Sequence, residues 1–209
     1  MDTESRYDWN QVAETPSHAY LAPAARDAVD RIRPSRVLDL GCGDGRLTAR
    51  LVAAGRDVVG VDFSATGIAR ARLEHPEASF AVHALDDPLP SELRDSFELV
   101  TAIEVIEHML LPRHLFARAD EALQRGGRLL VTTPYHGYWK NLALSVTNKW
   151  DSHHTVGWDY GHIKFFSRAT LAAMAAECGF RLVAFARVGR IPPIAASMVA
   201  LFERTSPEV

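Results

Sequence analysis

The chain predicts an α/β fold: a mostly parallel sheet with helices on both faces and an antiparallel hairpin at one edge. Three observations carry this. Short apolar runs alternate with helix-type segments over most of the length. Residues 37–45 read VLDLGCGDG, an apolar strand running into a glycine-rich turn, and 46–51 then open a helix. Finally, residues 180–188 and 198–204 alternate or run apolar and are joined by a proline-containing loop, which suits a hairpin.

In chain order, Ser17 is placed to cap a helix running to Arg31, rich in Ala and Arg. The first strand is expected at 37–40 and the first crossover helix at 46–54. A second strand at 58–62 leads into a helix at 65–73, and a third strand lies at 79–83. The fourth strand is 97–103, followed by a helix at 113–123. Gly126-Gly127 introduces a fifth strand at 128–132. A helix at 168–178, stopped by Gly179, precedes the last two strands. Pro and Gly otherwise fall at separators such as Pro34, Gly55, Pro88, Pro90, Gly161, Pro192 and Pro193.

With 209 residues, 47% hydrophobic and 23% charged, the chain has material for one sizeable core and reads as one domain, 1–209. Within it, 1–33 forms an N-terminal helical extension and 134–162 an insertion. A net charge of −3 and a pI near 6.3 argue against a nucleic-acid surface. Two cysteines, Cys42 and Cys178, make neither a disulfide framework nor a zinc site. Cys42 reads as a small packing residue. No apolar run reaches membrane-spanning length, and no signal-peptide pattern opens the chain, so a cytoplasmic location is the expectation.

The glycine turn decides between ligands. A dinucleotide fingerprint is G-x-G-x-x-G, whereas Gly41, Gly43 and Gly45 give G-x-G-x-G. No Gly-Lys-Ser/Thr follows for a nucleotide-phosphate loop. Asp39, one strand residue before the turn region, suits a ligand carrying an ammonium or sulfonium group. The turn is expected to offer bare backbone N–H groups to that ligand. A second carboxylate, Asp62, ends the VVGVD strand, where such sheets bond a ribose diol. Phe63 beside it is placed to cover an adenine face. Ligands of open α/β sheets sit at the carboxyl ends of the strands, and Asp39, Gly41, Asp62, Asp86 and Glu104 all lie at or just past such ends.

VLDLGCGDG followed by VVGVDFS resembles motifs I and II of the class I S-adenosylmethionine-dependent methyltransferases, and the likeness runs from the first strand to the end of the chain. The resemblance implies a Rossmann-like seven-stranded sheet of order 3-2-1-4-5-7-6. It implies S-adenosyl-L-methionine as cofactor, held by Asp39, Gly41, Cys42, Gly43, Gly45, Asp62, Phe63, Leu85, Asp86 and Ile103. Leu85 (through its backbone) and Asp86 are the two candidates for the exocyclic amine of adenine.

Beyond strand four the sequence reads EVIEHM. If a helix begins here, Glu104, Glu107 and His108 stand at i, i+3 and i+4 on one face. A plainer reading is that acids favour the first turn of any helix. This E-x-x-E-H resembles that of the ubiquinone-pathway O-methyltransferases, which act on catechols, and that of small-RNA 2′-O-methyltransferases. Both likenesses imply a divalent metal that chelates substrate hydroxyls. In GHIKFFSR, His162 takes the place of the second histidine that the small-RNA enzymes carry ahead of a Ser/Thr-Arg helix start. Glu104, Glu107, His108 and His162 are therefore the candidate metal ligands, suited to Mg²⁺ or Mn²⁺ over a thiophilic metal. Glu107, His108 and His162 are also the candidate catalytic residues. Without a metal, His108 is the leading general base, with His136 and His154 behind it.

The insertion carries three of the four tryptophans and, with His162, four of the nine histidines. It reads as a lid or substrate wall, with Tyr135, His136, Trp139 and His154 as substrate candidates. The other reading is an amphipathic helix through Trp139, Leu142, Leu144 and Val146, packed on the body or forming a homodimer face. Tyr7, Trp9, His18 and Tyr20 belong to a segment expected to fold over the cofactor or pack as an extension. The expected activity is O-methylation of a small molecule with adjacent hydroxyls, a catechol, sugar or other diol. The alternatives are a metal-independent N- or C-methyltransferase and a non-catalytic cofactor-binding subunit.

Overall fold

The computed structural model describes residues 17–52, 55–154 and 161–205. The expected contributions of Tyr7, Trp9 and Trp158, and the last two residues of the helix expected at 46–54, lie outside them. Among the described residues the strands form one seven-stranded sheet in the order β3-β2-β1-β4-β5-β7-β6. β1 (Arg36–Leu40), β2 (Asp57–Asp62), β3 (Ser79–Val82), β4 (Phe97–Ile103) and β5 (Leu123–Pro134) run parallel. β6 (Phe180–Val188) and β7 (Ser197–Arg204) are antiparallel to their neighbours, as the hairpin reading expects.

Side-chain alternation sorts the apolar residues to two faces. From β1, Leu38 and Leu40 enter a core cluster with Val100, Leu129, Phe116, Leu171, Phe180 and Phe202. The intervening Val37 enters the opposite cluster with Leu99, Leu130 and Val199. α4 (Arg113–Ala122) and α7 (Arg168–Glu177) cover the first face with Leu115, Ala119 and Ala175. α1 (His18–Ile32) covers the second with Ala25 and Val29. Burial on both faces is why β1 and β2 read as continuous apolar runs.

Several boundaries differ from the sequence expectation. α2 is a single turn, Arg46–Ala49, before the backbone leaves the helix. Ser17 precedes α1 in helical backbone and makes no side-chain cap hydrogen bond. β5 begins at Leu123, which pairs with Phe97; the register then shifts, so that Arg128 pairs with Leu99. The Gly126-Gly127 pair lies within that irregularity rather than ahead of the strand. α3 (Ala65–Glu74) starts where expected, capped by the Ser64 hydroxyl, which accepts from Gly67 N–H at 3.1 Å.

The stretch after β4 is the main departure. Glu104 has φ 56, a left-handed backbone that no α-helix admits. Only Ile106–His108 form a short 3-10 turn. Glu104 therefore does not share a helical face with Glu107 and His108.

The insertion after β5 folds as α5 (Tyr138–Val146) and α6 (Trp150–His154). The buried residue of α5 is Lys140, while Trp139 is 62% exposed and Leu142 and Val146 are also exposed. The apolar stripe thus faces away from the body, against the reading in which it packs there. No helix among the described residues is long and apolar enough to cross a membrane.

Candidate active site

The parallel strands bring the expected residues to one sheet edge. After β1, the glycines adopt φ 76 at Gly41, 56 at Gly43 and 77 at Gly45. A Cβ on Gly41 would stand 2.6 Å from Val105 Cγ2, and one on Gly45 2.8 Å from the Phe80 ring. Both geometry and space therefore require glycine.

The amides of Gly41, Cys42, Gly43 and Gly45 are already engaged within the protein, which corrects that part of the sequence expectation. Gly41 and Cys42 donate to Val61 O at 2.7 and 3.0 Å, and Gly45 donates to Cys42 O at 3.0 Å. Gly43 donates to Asp62 Oδ2 at 2.9 Å, and Ser64 N–H donates to Asp62 Oδ1 at 2.8 Å. The turn thus shapes a cradle by its path rather than by these donors. Burial raises the Asp62 carboxyl, against the two backbone hydrogen bonds that lower it.

Asp39 is similarly occupied. Thr101 Oγ1 donates to its Oδ1 at 2.7 Å and Thr48 Oγ1 to its Oδ2 at 2.6 Å. Burial pushes its carboxyl up to about 6, with both hydroxyls opposing. It ties β1 to β4 and α2, and so positions the turn. Cys42 packs with Ile68, Ala71 and Phe80, and burial pushes its thiol well up, which leaves it a packing residue. Ile103 packs into the α1-side core. Phe63 is 46% exposed next to Asp62, open to a ring-shaped ligand. Leu85 packs against the main core, while Asp86 turns to His114, its Oδ1 2.9 Å from Nδ1.

Across the edge, Glu104 sits in a hydroxyl network. It accepts from Thr132 Oγ1 at 2.9 Å and from Ser197 Oγ at 3.4 Å, and Ser197 meets the Tyr20 hydroxyl at 3.4 Å. Burial pushes its carboxyl up to about 7, opposed by those hydroxyls and then by Lys140. Ser197 arrives here because antiparallel β7 begins where β5 ends, paired with Pro134.

Glu107 is fully buried, and neither of its carboxylate oxygens makes a hydrogen bond of normal geometry; the equally buried Thr133 hydroxyl is the polar side chain beside them. Burial, and then neighbouring Glu104, raises its carboxyl well above the ordinary range. Its carbonyl accepts from Ile163 and Lys164 at 2.9 and 3.0 Å, which docks the GHIKFF segment against it. That docking brings the His162 ring to 4.9 Å from the His108 ring, edge to face. Glu107, His108 and His162 offer ligand atoms all within 4.8 Å of one another. Glu104 stands outside that set and is committed to Thr132 and Ser197. Burial, then His108, pushes His162 down to about 4, leaving a neutral imidazole with a free lone pair.

A methyltransferase domain family matches residues 17–184. The chain belongs to the class I S-adenosylmethionine-dependent methyltransferases. The ubiquinone biosynthesis O-methyltransferase of Aromatoleum aromaticum is 26% identical over 177 residues, 82% of this chain and 76% of that protein. Its namesake from Bradyrhizobium sp. (strain ORS 278) is 35% identical over 115 residues, 53% of this chain and 44% of that protein. The methyltransferase thus spans about half the length of several curated relatives. The structure of magnesium protoporphyrin IX methyltransferase from Synechocystis PCC 6803 with bound SAH superposes with TM-score 0.67 at 15% identity, covering 88% of this chain and 82% of that one.

Just past the end of β5, Tyr135 packs on the core beneath the Arg187 guanidinium, 5.6 Å from its ring centroid. Lys140 reaches inward and donates to Ala196 O at 3.0 Å; burial, then Arg190, pushes its ammonium down to about 8. His136 and His154 come together with His153, a residue the sequence reading did not single out. Trp139 stays outside this group. Of the residues missed (Thr48, Thr101, Thr132, Lys140, His153 and Ser197), Thr101, Thr132, Lys140 and Ser197 act through neighbours remote in sequence. A threonine inside the apolar run of β4 is the one signal that pointed to Asp39's partner.

Proposed function

We propose that this methyltransferase methylates an oxygen of a small acceptor bearing adjacent hydroxyls, with a divalent cation held by Glu107, His108 and His162. The observation that carries the reading is the Glu107 carboxylate, buried with both oxygens unpartnered beside two imidazoles. A buried carboxylate without partners is strongly unfavourable when charged, and a cation removes that penalty. One carboxylate with two imidazoles is a borderline donor set; with Glu104 outside it, it fits Mn²⁺, Fe²⁺ or Zn²⁺ better than Mg²⁺. The ubiquinone-pathway relatives support the O-methyl reading. When bound, the cation would lower the pKa of a chelated hydroxyl.

The chain's own residues supply position and proton handling. The glycine turn, held by Asp39, shapes the cradle for the methionine portion of the cofactor. Asp62 keeps lone pairs for the ribose diol, Phe63 covers adenine, and Leu85 offers backbone to its amine now that Asp86 engages His114. The acceptor oxygen attacks the sulfonium methyl in line: the new C–O bond forms as C–S breaks, leaving a neutral thioether. With a cation on His108 that ring has no lone pair left and the hydroxyl proton leaves to water; without a cation the proton passes to His108. Effective positioning accounts for much of such an acceleration.

The test is Glu107→Ala with His108→Ala, assayed on a simple catechol. Turnover is expected to fall at least about 1000-fold, while calorimetric affinity for S-adenosylhomocysteine changes less than about threefold. Full turnover in that variant, or in chelator-treated wild type, leaves a metal-independent transfer as the surviving reading. Absence of S-adenosylhomocysteine binding by the wild type would overturn the cofactor assignment.

A further inference from the structure

We propose that His136, His153 and His154 form a second metal site, of the zinc type, which clasps α6 onto the end of β5. Their ligand nitrogens all lie within 4.8 Å of one another. The ring centroids stand 5.4 Å apart for His136 and His154, 4.9 Å for His153 and His154, and 5.9 Å for His136 and His153. Tetrahedral zinc–imidazole bonds of about 2.0–2.1 Å put ligand nitrogens roughly 3.3 Å apart, which small side-chain rotations reach from here.

The second observation is His154 itself. It is 8% exposed, and both its Nδ1 and Nε2 are buried without a hydrogen-bond partner. Packing explains the ring faces: Trp150, Phe165 and His136 surround it at centroid distances of 4.5, 4.7 and 5.4 Å. Packing does not explain the in-plane nitrogens, one a donor and one an acceptor, each unfavourable when buried unmet. A metal takes the lone pair.

The other two ligands are prepared in the same sense. His136 is buried and His153 half-buried, with Lys140 close to both. Lys140 also repels a metal ion, and three coordination bonds are needed to outweigh it. Asn141 stands beside His136, its buried Oδ1 unpartnered, ready to accept from the other ring nitrogen and fix the tautomer. The backbone holds His136 apart from the α6 pair His153–His154: His136 N–H donates to Phe166 O at 3.0 Å, and His153 N–H to Lys149 O at 3.0 Å.

An all-imidazole trio selects zinc or another late metal, and substitution of Glu107 and His108 is what separates it from the carboxylate-bearing set. Three protein ligands leave a fourth position for water. A cavity of about 180 Å³, lined by His136, His154, Asn141, Trp150 and Phe165, adjoins the trio. The proposal does not depend on the acceptor chemistry above.

The experiment isolates this site in the Glu107→Ala/His108→Ala background. Metal-free protein is titrated with Zn²⁺ against a chromophoric chelator, and with Co²⁺ followed by its visible bands. One equivalent is expected, with a four-coordinate cobalt spectrum and a rise in melting temperature. Adding His153→Ala should weaken uptake at least about 100-fold and abolish the thermal shift; His154→Ala should do the same. S-adenosylhomocysteine binding and far-UV dichroism verify that each variant folds. His153 is only half-buried, so its variant remains informative where His154→Ala fails to fold. No uptake by the parent, or equal uptake with and without His153, overturns the proposal.

Discussion

The glycine turn after β1 and the glutamate–histidine ground beyond β4 and β5 share one sheet edge but treat their polar atoms in opposite ways. Around the turn, both oxygens of Asp39 and both of Asp62 accept hydrogen bonds, and the amides of Gly41, Cys42, Gly43 and Gly45 are spoken for. Across the edge, Glu107 and His154 are buried with both side-chain polar atoms unmet. The first region is a finished mould, complementary to a ligand by shape. The second is stable only conditionally and gains most from a ligand that supplies charge. Substitutions should therefore have opposite signs in the two places.

The largest effect belongs to the mould. Gly41→Ala places a methyl 2.6 Å from Val105 Cγ2 in a backbone with φ 76. Left-handed strain and overpacking together should remove about 2–5 kcal/mol of stability. Adding Val105→Ala should restore the overpacking part only. Denaturant unfolding measures both, and full stability in Gly41→Ala would show that the turn is not rigid.

Asp39 makes the mould pH-sensitive. Its carboxyl is raised to about 6 from 3.8 by burial. A raised carboxyl favours the protonated folded form, so its contribution is full below pH 4 and is lost as pH climbs through about 6. Asp39→Asn should therefore gain on wild type across that window, by on the order of 2–3 kcal/mol between pH 4 and 7. A difference between the two that is flat with pH would mean that Asp39 titrates normally.

How much of this was legible in the sequence follows from what each residue depends on. The turn and both acidic strand ends are local patterns, the sheet order is what the family resemblance implies, and the chain folds in that order. Asp39 was visible, but not its role: its partners Thr48 and Thr101 depend on β1–β4 register and on the first turn of α2. E-x-x-E-H suggested one helical face, yet the left-handed backbone at Glu104 directs that side chain to Thr132 and Ser197 instead. Ser197 joins the site only because β7 runs backwards, and His153 only because α6 folds against the end of β5.

The sign difference has a direct test of smaller size. Thr101→Val removes a donor to Asp39 and should cost about 1–3 kcal/mol. Glu107→Leu keeps volume, removes a buried unpaired carboxylate, and should stabilise the metal-free protein by about 1–3 kcal/mol while abolishing turnover. Loss of stability in Glu107→Leu would mean that the carboxylate has a structural partner, and the contrast between the regions would fail.

The smallest effect probes the rim where the mould meets solvent. Phe63 is 46% exposed, so its removal leaves no cavity, and Phe63→Ala should change stability by less than about 0.5 kcal/mol. A ring stacked on a bound adenine contributes about 0.5–1.5 kcal/mol beyond area, so affinity for S-adenosylhomocysteine should fall roughly 2- to 13-fold. Phe63→Trp should hold or raise it, since the larger face keeps the stack. If Ala and Trp bind alike, adenine is seated elsewhere, and the cradle positions the ligand through the turn and Asp62 alone.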